Sequence, residues 1–505
     1  MQISRITEGM DILQVKGDIS SEVWDLCYDS RKCVPGSLFV AIEGLSVDGH
    51  DYIEEAVRAG ALAVIGERDV QGRDGVVWVR VKDSRRALGI AAKNFYGDPS
   101  KELSVIGITG TNGKTTVSYL LESIIRTAGK MAGVIGTINS HFGEVILPAE
   151  HTTPESLDLH RIFRRMVNDG ADHVIMEVSS HAIDLKRIDE CTYAAGVFTN
   201  LSPEHLDYHH DMETYYMVKK RLFQQILQGR HKIINGEDPW GARLTREVEG
   251  PVLTFGIDIS ADIRARDYIF SIGGIEANIE TPRGVLPISS SLAGRFNLSN
   301  ILAAVGVSVV LGFSDETIRR GIAEAGSIPG RLERIGTPGE PTVFVDYAHT
   351  EDALKNVLET LAQFERSRLV TVFGCGGQRD RLKRPRMGRV ATELSDVTII
   401  TSDNPRNEDP LAIIEEIESG IDGTQVQKYA FSGGFPEDVS KGYTVLADRR
   451  KAIEQAIVSA RSTDIILIAG KGHENYQIVD NRRLSFDDRQ VVKESLKRRR
   501  LEREN

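Results

Sequence analysis

The stretch that decides the fold is LSVIGITGTNGKTTVSYLLESIIRT, residues 103–127. A run rich in β-branched residues leads into a glycine-rich loop, and an apolar pattern with the period of a helix follows the loop. In such an arrangement, the backbone N–H groups of the loop and the first turn of the helix bind phosphate oxygens. The stretch therefore predicts a strand, a phosphate-binding loop and a helix, in that order.

The loop predicts a nucleotide site. Lys114 would neutralise the charge of the β- and γ-phosphates, and the hydroxyl of Thr115 would bind Mg²⁺. The common loop pattern requires glycine at position 108, where this chain has Ile108, so the loop is the shorter variant GTNGKTT. The residues expected to bind ATP here are Gly110, Thr111, Asn112, Gly113, Lys114, Thr115 and Thr116.

Length and composition restrict the class of protein. The 505 residues predict about three domains at roughly 100–200 residues each. Hydrophobic residues make up 41% and charged residues 27%, which is typical of a globular enzyme and excludes a collagenous or mostly disordered chain. The net charge of -11 disfavours a protein that binds nucleic acid through its phosphate backbone.

The expected location is the cytoplasm. The four cysteines include no CxxC pair, which favours a reducing compartment and predicts no zinc site. The most apolar long stretch, residues 301–313, has about half to two-thirds of the length of a membrane span. The first residues, MQISRITEGMDIL, lack a basic segment followed by an apolar one. We therefore expect an unanchored protein without membrane insertion, and a monomer.

The alternation of short β-branched runs with longer amphipathic stretches predicts an α/β protein with mostly parallel sheets. The turn-forming cluster GDPS at 97–100 and the sequence PGR at 329–331 mark two boundaries. Residues 262–292 are predicted to form alternating strands, and residues 297–312 a helix. The predicted domains are an N-terminal α/β domain at 1–98, a central P-loop NTPase-like domain at 99–332 and a C-terminal Rossmann-like domain at 333–505.

The phosphate loop in this context resembles that of the Mur ligase family, whose members form amide bonds at the expense of ATP, and the further motifs of the family follow in order. The resemblance implies that Glu177 in MEVSSH and His205 in LSPEHLDYH bind Mg²⁺ with Thr115. It also places a carbamylated lysine at Lys219 in YYMVKKRLF, which would hold a second Mg²⁺. Lys220 is adjacent, so the choice of Lys219 rests on register alone.

The resemblance also implies the remaining contacts to ATP. Asn297 and Asn300 in GRFNLSN match adenine-side asparagines, with helix capping by Asn297 as the alternative. Arg331 in GRLE matches an ATP-binding arginine, with a surface ion pair as the alternative, and Asp346 in DYAHT matches a ribose-side aspartate. The implied catalytic residues are Lys114, Lys219 and Arg331.

The N-terminal domain resembles that of the family members that extend a UDP-N-acetylmuramoyl dipeptide, through YDSRKCVPGSLFVAIEGLSVDGHDYI. HTTPES at 151–156 and SSHAIDLKR at 179–187 resemble the segments that hold the peptide. One departure is Leu185, where the family usually has glutamine. The implied contacts to the UDP-substrate are Ser30, Arg31, Thr152, Thr153, Ser179 and Arg187.

The third domain carries GCGGQRDRLKRPRMG, SDNPRNEDP and AGKGHENYQ, which resemble the pocket for meso-diaminopimelate in the members that add this amino acid. Two departures are Gln378, where aspartate is usual, and Glu351, where proline is usual. The implied pocket residues are Arg379, Asp403, Asn404, Pro405, Arg406, Gly470 and Glu474.

The resemblance thus implies a ligase with two small-molecule substrates, the UDP-N-acetylmuramoyl dipeptide and meso-diaminopimelate, and with ATP and Mg²⁺ as cofactors. ATP would phosphorylate the γ-carboxylate of D-glutamate, and the diaminopimelate amine would attack the acyl phosphate. Alternatives are a lysine-adding member of the family and a folylpolyglutamate synthetase-like ligase. From another class, a P-loop kinase or a nucleotide-gated regulatory protein could carry the loop alone.

Overall fold

The computed structural model describes residues 1–44, 47–69, 75–337, 339–430, 435 and 441–504, without the side chains of 503 and 504. In this part of the chain the strands form sheets of five, eleven, seven and two strands. The predicted α/β class is therefore confirmed. None of the described helices is both long enough and apolar enough to cross a bilayer.

The first sheet has the strand order β1-β5-β4-β3-β2, in which β1 is antiparallel to β5 and the other pairs are parallel. Its apolar side chains form two clusters with the neighbouring helices. The strands are β1 (Ile12–Lys16), β2 (Asp25–Cys27), β3 (Ser37–Val40), β4 (Ala63–Gly66) and β5 (Val77–Val81), and the helices are α1 (Ile3–Ile6), α2 (Ile53–Arg58) and α3 (Ser84–Tyr96).

The central sheet has the order β16-β15-β14-β13-β12-β11-β6-β10-β7-β8-β9. Its middle, from β14 to β7, is parallel, and an antiparallel ribbon extends each edge. Its strands are β6 (Ser104–Thr109), β7 (Ala132–Ile135), β8 (Asn139–Phe142), β9 (Val145–Pro148), β10 (His173–Glu177), β11 (Ala195–Phe198), β12 (His231–Asn235), β13 (Val252–Gly256), β14 (Ile263–Ser271), β15 (Gly274–Thr281) and β16 (Gly284–Ser290).

The helices of the central unit pack on both faces of this sheet. Strand β6 shows why: Ile106 and Ile108 belong to one hydrophobic cluster and Val105 to the other, because successive side chains of a strand point to opposite faces. The helices are α4 (Lys114–Thr127), α5 (Ser156–Asn168), α6 (Ser180–Asp184), α7 (Leu206–His209), α8 (Met212–Gln225), α9 (Pro239–Glu247), α10 (Arg295–Val310) and α11 (Asp315–Glu324). The predicted strands at 262–292 and the predicted helix near 297–312 are confirmed as β14–β16 and α10.

The third sheet has the order β17-β18-β23-β19-β20-β22-β21, with only β17 antiparallel among these described strands. A separate hairpin follows it in the chain. The strands are β17 (Glu333–Ile335), β18 (Thr342–Asp346), β19 (Leu369–Phe373), β20 (Val397–Ile400), β21 (Gln427–Lys428), β22 (Gly442–Val445), β23 (Ile465–Ala469), β24 (Tyr476–Val479) and β25 (Arg482–Ser485). The helices are α12 (Glu351–Ala362), α13 (Lys383–Leu394), α14 (Pro410–Glu418), α15 (Arg449–Val458) and α16 (Asp488–Glu504).

Several of the predicted site residues lie at the carboxyl ends of parallel strands. The phosphate loop follows β6, Glu177 ends β10, Asp346 ends β18 and Gly470 follows β23. Loops at this edge of a parallel sheet meet, which is why ligands of α/β proteins bind there. We propose the domain divisions after residues 98 and 332, each of which lies between the last element of one sheet and the first of the next.

We expect Leu302→Ala to destabilise the central unit. Leu302 is completely buried in α10, and removal of such a side chain leaves a cavity that costs about 2–5 kcal/mol. Urea unfolding followed by circular dichroism and by the fluorescence of Trp240 in α9 measures the effect. Leu227→Ala is the matched control, because Leu227 is 60% exposed in the same unit. Equal shifts of the unfolding midpoint in both variants would contradict the assignment of α10 to the core.

Candidate active site

The phosphate loop is closed against its neighbours at two glycines. Gly110 and Gly113 have φ values of 146° and 88°, which side chains rarely adopt. A Cβ at Gly110 would collide with the hydroxyl of Thr199, and a Cβ at Gly113 with the amide oxygen of Asn300. The backbone can approach β11 and α10 this closely only because both positions are glycine. The predicted loop geometry, a turn leading into the N-terminus of α4, is present.

Residues at the end of β11 support the loop, and the motifs of the sequence did not single them out. The backbone N–H groups of Thr111 and Asn112 donate to the backbone and side-chain oxygens of Asn200, both at 2.9 Å. The hydroxyl of Thr199 donates to the Asn112 carbonyl at 2.6 Å. No motif of the sequence points to them, and in the structure they directly follow β11. Thr116, predicted with the loop, is buried in the first turn of α4.

Lys114 folds back over the loop. Its Nζ donates to the carbonyl oxygens of Gly110 at 2.9 Å and Thr111 at 2.7 Å. Burial lowers the pKa of Lys114, whereas the carboxylates of Glu204 and Glu177 favour its charged form. The ammonium group is therefore held at the loop, where it can reach phosphate oxygens.

Three contacts join the central unit to the third unit at the loop. Arg331 donates through Nη2 to the hydroxyl of Thr115 at 3.0 Å, and its guanidinium lies 4.6 Å from the ring centre of Tyr347. Its Nε is buried and has no hydrogen-bond partner among the described residues. The Asn112 amide donates to Asp352 at 3.2 Å. The structure thus brings Arg331 to the predicted nucleotide site rather than to an exposed ion pair.

The third contact is between Glu204 and His349, whose atoms Oε1 and Nε2 are 3.5 Å apart. Burial alone would raise the pKa of Glu204, but its contact with His349 and the charges of His205 and Lys114 outweigh burial and hold the pKa well below its usual range. Both residues lie inside predicted motifs, yet neither was singled out. Their pairing could not be predicted because they are distant in the chain.

Lys219 is buried in α8, beneath the loop. Its Nζ donates to the Gly110 carbonyl at 3.0 Å and to the Thr109 hydroxyl at 3.5 Å, and lies 4.7 Å from the ring centre of Tyr215. Burial, and then the charge of Lys114, lower the pKa of Lys219 well below its ordinary value. Lys220 instead pairs with Glu247 at 2.9 Å, away from the loop. Only Lys219 is therefore placed to act at the nucleotide site.

The residues predicted to bind Mg²⁺ surround the loop. Each oxygen of Glu177 accepts one hydrogen bond from Thr137, at 3.1 Å from the backbone and 2.9 Å from the hydroxyl. A carboxylate has about four lone-pair sites, so capacity for a cation remains. His205 is exposed, with its ring 4.9 Å from that of His181. Among the described residues no three or more His, Cys, Asp or Glu side chains converge as a ready-made metal site.

The donor chemistry nevertheless fits Mg²⁺. The hydroxyl of Thr115 and the carboxylate of Glu177 are hard oxygen donors, and a carbamate on Lys219 would add more. Such a site is completed by phosphate oxygens of the nucleotide, which explains why the protein atoms alone do not form a cage.

The adenine-side and ribose-side residues are buried. Asn297 is not the helix cap, because α10 begins after Gly294 and Asn297 donates to the Ala293 carbonyl at 2.8 Å. The Asn300 amide donates to Asn297 at 3.2 Å. Both carboxylate oxygens of Asp346 accept backbone N–H groups, from Leu332 at 2.6 Å and from Ala348 at 2.7 Å. Asp346 therefore also holds the chain directly after Arg331.

The segments predicted to hold the peptide meet at Glu177. The Thr153 hydroxyl donates to the Glu177 carbonyl at 2.8 Å and accepts from the Ser179 backbone at 3.1 Å. Arg187 donates to the Thr153 carbonyl at 3.0 Å. The Thr152 hydroxyl lies 3.2 Å from that of Thr137. The peptide segments and the phosphate loop therefore share one edge of the central sheet.

Leu185, the departure from the family pattern, is the residue that follows α6. Its neighbour Lys186 pairs with Asp83 of the first unit. Arg85 of the first unit pairs with Glu155 at 3.3 Å, and no motif pointed to it.

The first unit presents its predicted residues on a single turn. Ser30 is buried at the start of the turn. Arg31 is exposed, and its guanidinium makes two hydrogen bonds of 2.8 Å with Asp29. A cavity of about 370 Å³ lies in the same unit, and its lining combines two cations, Lys82 and Arg85, with the carboxylates of Glu43, Glu67 and Asp83. The exposed guanidinium of Arg31 is suited to an anionic substrate.

The third unit brings the DNPR and GKGHE motifs together. The Asn404 amide donates to Glu474 at 2.8 Å, and Gln477 donates to the Asp403 carbonyl at 2.6 Å. A Cβ at Gly470 would lie 2.6 Å from the carboxylate of Asp403, so only glycine leaves room there. These residues therefore form one polar pocket at the carboxyl ends of β20 and β23.

Arg406 is held in this pocket by the hairpin. It has a left-handed φ of 55°, and hydrogen bonds of 3.0 Å to the Ile478 carbonyl and 2.8 Å from Asp480 fix its backbone. Its guanidinium donates to the Gly377 carbonyl at 2.6 Å. The carbonyl of Pro405 packs against Gly377. Burial, and then the charge of the exposed Arg379, lower the pKa of Arg406.

The two residues of this unit that differ from the family pattern, Gln378 and Glu351, form no hydrogen bond or ion pair with the described side chains of the pocket. Gln378 contributes its backbone N–H to Glu408. Glu351 starts α12 and faces Arg386 at 3.8 Å. Neither contact involves a residue of the pocket.

Comparisons with known proteins agree over almost the whole chain. The sequence matches the Mur ligase family, catalytic domain at 24–96, the Mur ligase middle domain at 108–308 and the Mur ligase, glutamate ligase domain at 330–472. A UDP-N-acetylmuramoyl-L-alanyl-D-glutamate--2,6-diaminopimelate ligase from Geobacter metallireducens is 46% identical over 498 residues, which is 97% of this chain and 98% of that protein.

Solved structures are similar as well. A structure of a ligase with the same name superimposes with a TM-score of 0.70 at 31% identity and covers 99% of each chain. A MurF ligase from Thermotoga maritima in complex with ADP has a TM-score of 0.62 at 19% identity, covering 95% of this chain and 98% of that one. At that identity the second match shows the fold alone.

We expect Lys219 to carry a carbamate. Burial lowers the pKa of Lys219 and so favours the uncharged amine, which can add to CO2, forming an N–C bond and releasing a proton. ¹³C NMR of the protein in labelled bicarbonate should show one carbamate signal, which Lys219→Ala removes and Lys220→Ala retains. A signal that persists in Lys219→Ala, or plain lysine at 219 in active protein by crystallography, would contradict the prediction.

Proposed function

This chain belongs to the Mur ligase family, and we propose that it is the member that joins meso-2,6-diaminopimelate to the γ-carboxylate of D-glutamate in UDP-N-acetylmuramoyl-L-alanyl-D-glutamate. It is an ATP-dependent, amide-bond-forming ligase of peptidoglycan precursor synthesis. The observation that carries the proposal is the placement of Arg331, which donates to Thr115 at the phosphate loop and lies against the ring of Tyr347 in the third unit. The amino-acid pocket and the nucleotide site therefore belong to one assembly.

A carboxylate does not condense with an amine at neutral pH, because oxide is a poor leaving group. ATP therefore phosphorylates the γ-carboxylate, and the acyl phosphate is attacked by the uncharged amine of diaminopimelate. The tetrahedral intermediate then expels phosphate. Lys114 and Arg331 stabilise the charge that develops on the transferred phosphoryl group and on the leaving phosphate. Both cations already lie at the loop in this structure.

Thr115, Glu177, His205 and the carbamate of Lys219 would hold Mg²⁺, which would neutralise phosphate charge when bound. The loop residues Gly110 to Thr116 bind the phosphates of ATP. The rest of the nucleotide is bound by Asn297, Asn300, Asp346 and Arg331. An acyl phosphate hydrolyses readily, so water must be kept away from it. The contacts between the units serve this purpose.

The other substrates occupy the two outer units. Ser30, Arg31, Thr152, Thr153, Ser179 and Arg187 hold the UDP-dipeptide, and the exposed guanidinium of Arg31 is suited to its anionic groups. Arg379, Asp403, Asn404, Pro405, Arg406, Gly470 and Glu474 hold diaminopimelate. All these residues come from one chain, so we propose a monomer. The four unpaired cysteines support a cytoplasmic location.

Lys114→Ala should abolish ligation in a chain that still folds. Within the described part of the chain its hydrogen bonds go to loop carbonyls, its charge serves the phosphates, and loss of one such group commonly lowers kcat by about 10²–10³-fold. ADP release that requires both the UDP-dipeptide and the amino acid measures ligation, and circular dichroism measures folding. Lys130→Ala, at an exposed lysine after α4, is the control. Activity lost only through unfolding would contradict the role of Lys114.

Arg406→Ala should weaken the use of diaminopimelate far more than the affinity for ATP. The planar guanidinium can grip the carboxylate at the far end of diaminopimelate, a group that L-lysine lacks. Loss of such a pair costs about 2–5 kcal/mol, roughly 30-fold to several thousand-fold in kcat/KM. Mass spectrometry of the product formed with each amino acid measures the preference, with the exposed Arg482→Ala as control. Equal use of L-lysine by the unmodified enzyme would contradict the specificity but not the ligase activity.

A further inference from the structure

Lys471 lies inside the amino-acid pocket, in the GKGHE motif. It is completely buried, and its Nζ donates to Oε2 of Glu474 at 2.7 Å and to Oδ1 of Asn404 at 3.2 Å. The ring centre of Tyr476 is 5.4 Å away from the same Nζ. A buried ammonium group requires a partner, and here that partner is a residue proposed to bind the amino-acid substrate.

Lys471, Glu474 and Asn404 are joined to one another by hydrogen bonds. Oε2 of Glu474 accepts from Lys471 and also from the Asn404 amide, at 2.8 Å. Oδ1 of Asn404 accepts from Lys471 and from the backbone of Ile478, at 2.9 Å. Both donors to Glu474 use one oxygen. An ammonium group on a substrate would therefore meet an existing ion pair rather than a free carboxylate.

The charges of the pocket show what this pairing does. Arg379, Asp403 and Glu474 all act electrostatically on Arg406. With Lys471 there are three cations and two carboxylates, and Arg483, whose guanidinium lies 3.7 Å from the ring centre of Tyr476, adds a fourth cation, so the net charge is positive. The adjoining buried pair of Arg449 and Asp488, 2.7 Å apart, adds none.

The two candidate amino acids differ in charge in the state that attacks. With its reacting amine uncharged, diaminopimelate carries two carboxylates and one ammonium, a net charge of −1. L-Lysine in the same state carries one carboxylate and one ammonium, and is neutral overall. The positive pocket therefore complements diaminopimelate, and Lys471 supplies the charge that creates the difference.

We propose that Lys471 is a specificity-determining residue, which neutralises Glu474 and so disfavours an amino acid whose far end carries only an ammonium group. The inference rests on the proposed function. Arg406 attracts the far carboxylate, whereas Lys471 removes the advantage of a lone ammonium. In the absence of Lys471, the ammonium of L-lysine could pair with Glu474 in its place.

The test compares Lys471→Met, which keeps the length but removes the charge, with Lys471→Arg, which keeps the charge. The measured quantities are kcat/KM for diaminopimelate, the inhibition constant of L-lysine against it, and KM for ATP. In Lys471→Met, kcat/KM for diaminopimelate should fall roughly 10- to 100-fold while L-lysine binds at least as tightly as before. Lys471→Arg should keep the original preference, and KM for ATP should not change.

Lys355→Met is the matched control, because Lys355 pairs with Glu359 at 3.8 Å on the surface of α12. Lys471→Gln keeps a hydrogen-bond donor without the charge and should behave as the Met variant does, so the test remains decisive if the Met variant fails to fold. A parallel loss of affinity for both amino acids, or an unchanged ratio between them, overturns the inference. If the unmodified enzyme does not use diaminopimelate at all, the proposed function itself fails.

Discussion

The close approach of the phosphate loop to β11 and α10 is the constraint on which the rest of the site depends. It requires glycine at positions 110 and 113, since a Cβ at either would overlap Thr199 or Asn300. The same carbonyl of Gly110 then accepts from both Lys114 and Lys219. Two lysines thus reach one turn of backbone, and the conformation of that turn sets where both amines lie.

Burial gives these lysines different chemistry. Lys114 lies within electrostatic reach of Glu177 and Glu204, which favour its charged form, as a phosphate ligand requires. Lys219 lies deeper, and burial together with the charge of Lys114 lowers its pKa well below the ordinary value. Lys471, equally buried, forms a direct ion pair with Glu474. The partner of each buried amine therefore decides its role, and the residue type alone does not.

Contacts between units complete the site. Arg331 lies just before the third sheet, and Asp346 holds the chain beside it through the backbone of Leu332. From there its guanidinium reaches both Thr115 at the phosphate loop and the ring of Tyr347 in the third unit. In the amino-acid pocket, too, a distant segment fixes the backbone of a functional arginine. There β24 holds the backbone of Arg406 through the carbonyl of Ile478. Parallel sheets that present their carboxyl ends make both arrangements possible.

The sequence by itself determined the features that depend on neighbouring residues. The strand, loop and helix around Lys114 could be predicted because glycine, lysine and apolar periodicity act within one short segment, and the α/β class followed from alternation along the chain. The other features depend on tertiary structure. Packing determines that Lys219 rather than Lys220 reaches the loop and that Asn297 is not a helix cap. It also determines that Glu204 pairs with His349 and Lys471 with Glu474. Adjacent lysines on one helix have the same local pattern, and only packing against a distant strand shows which of them is buried. The pairs Glu204–His349 and Arg331–Thr115 likewise join residues far apart in the chain, whose approach depends on how the sheets pack.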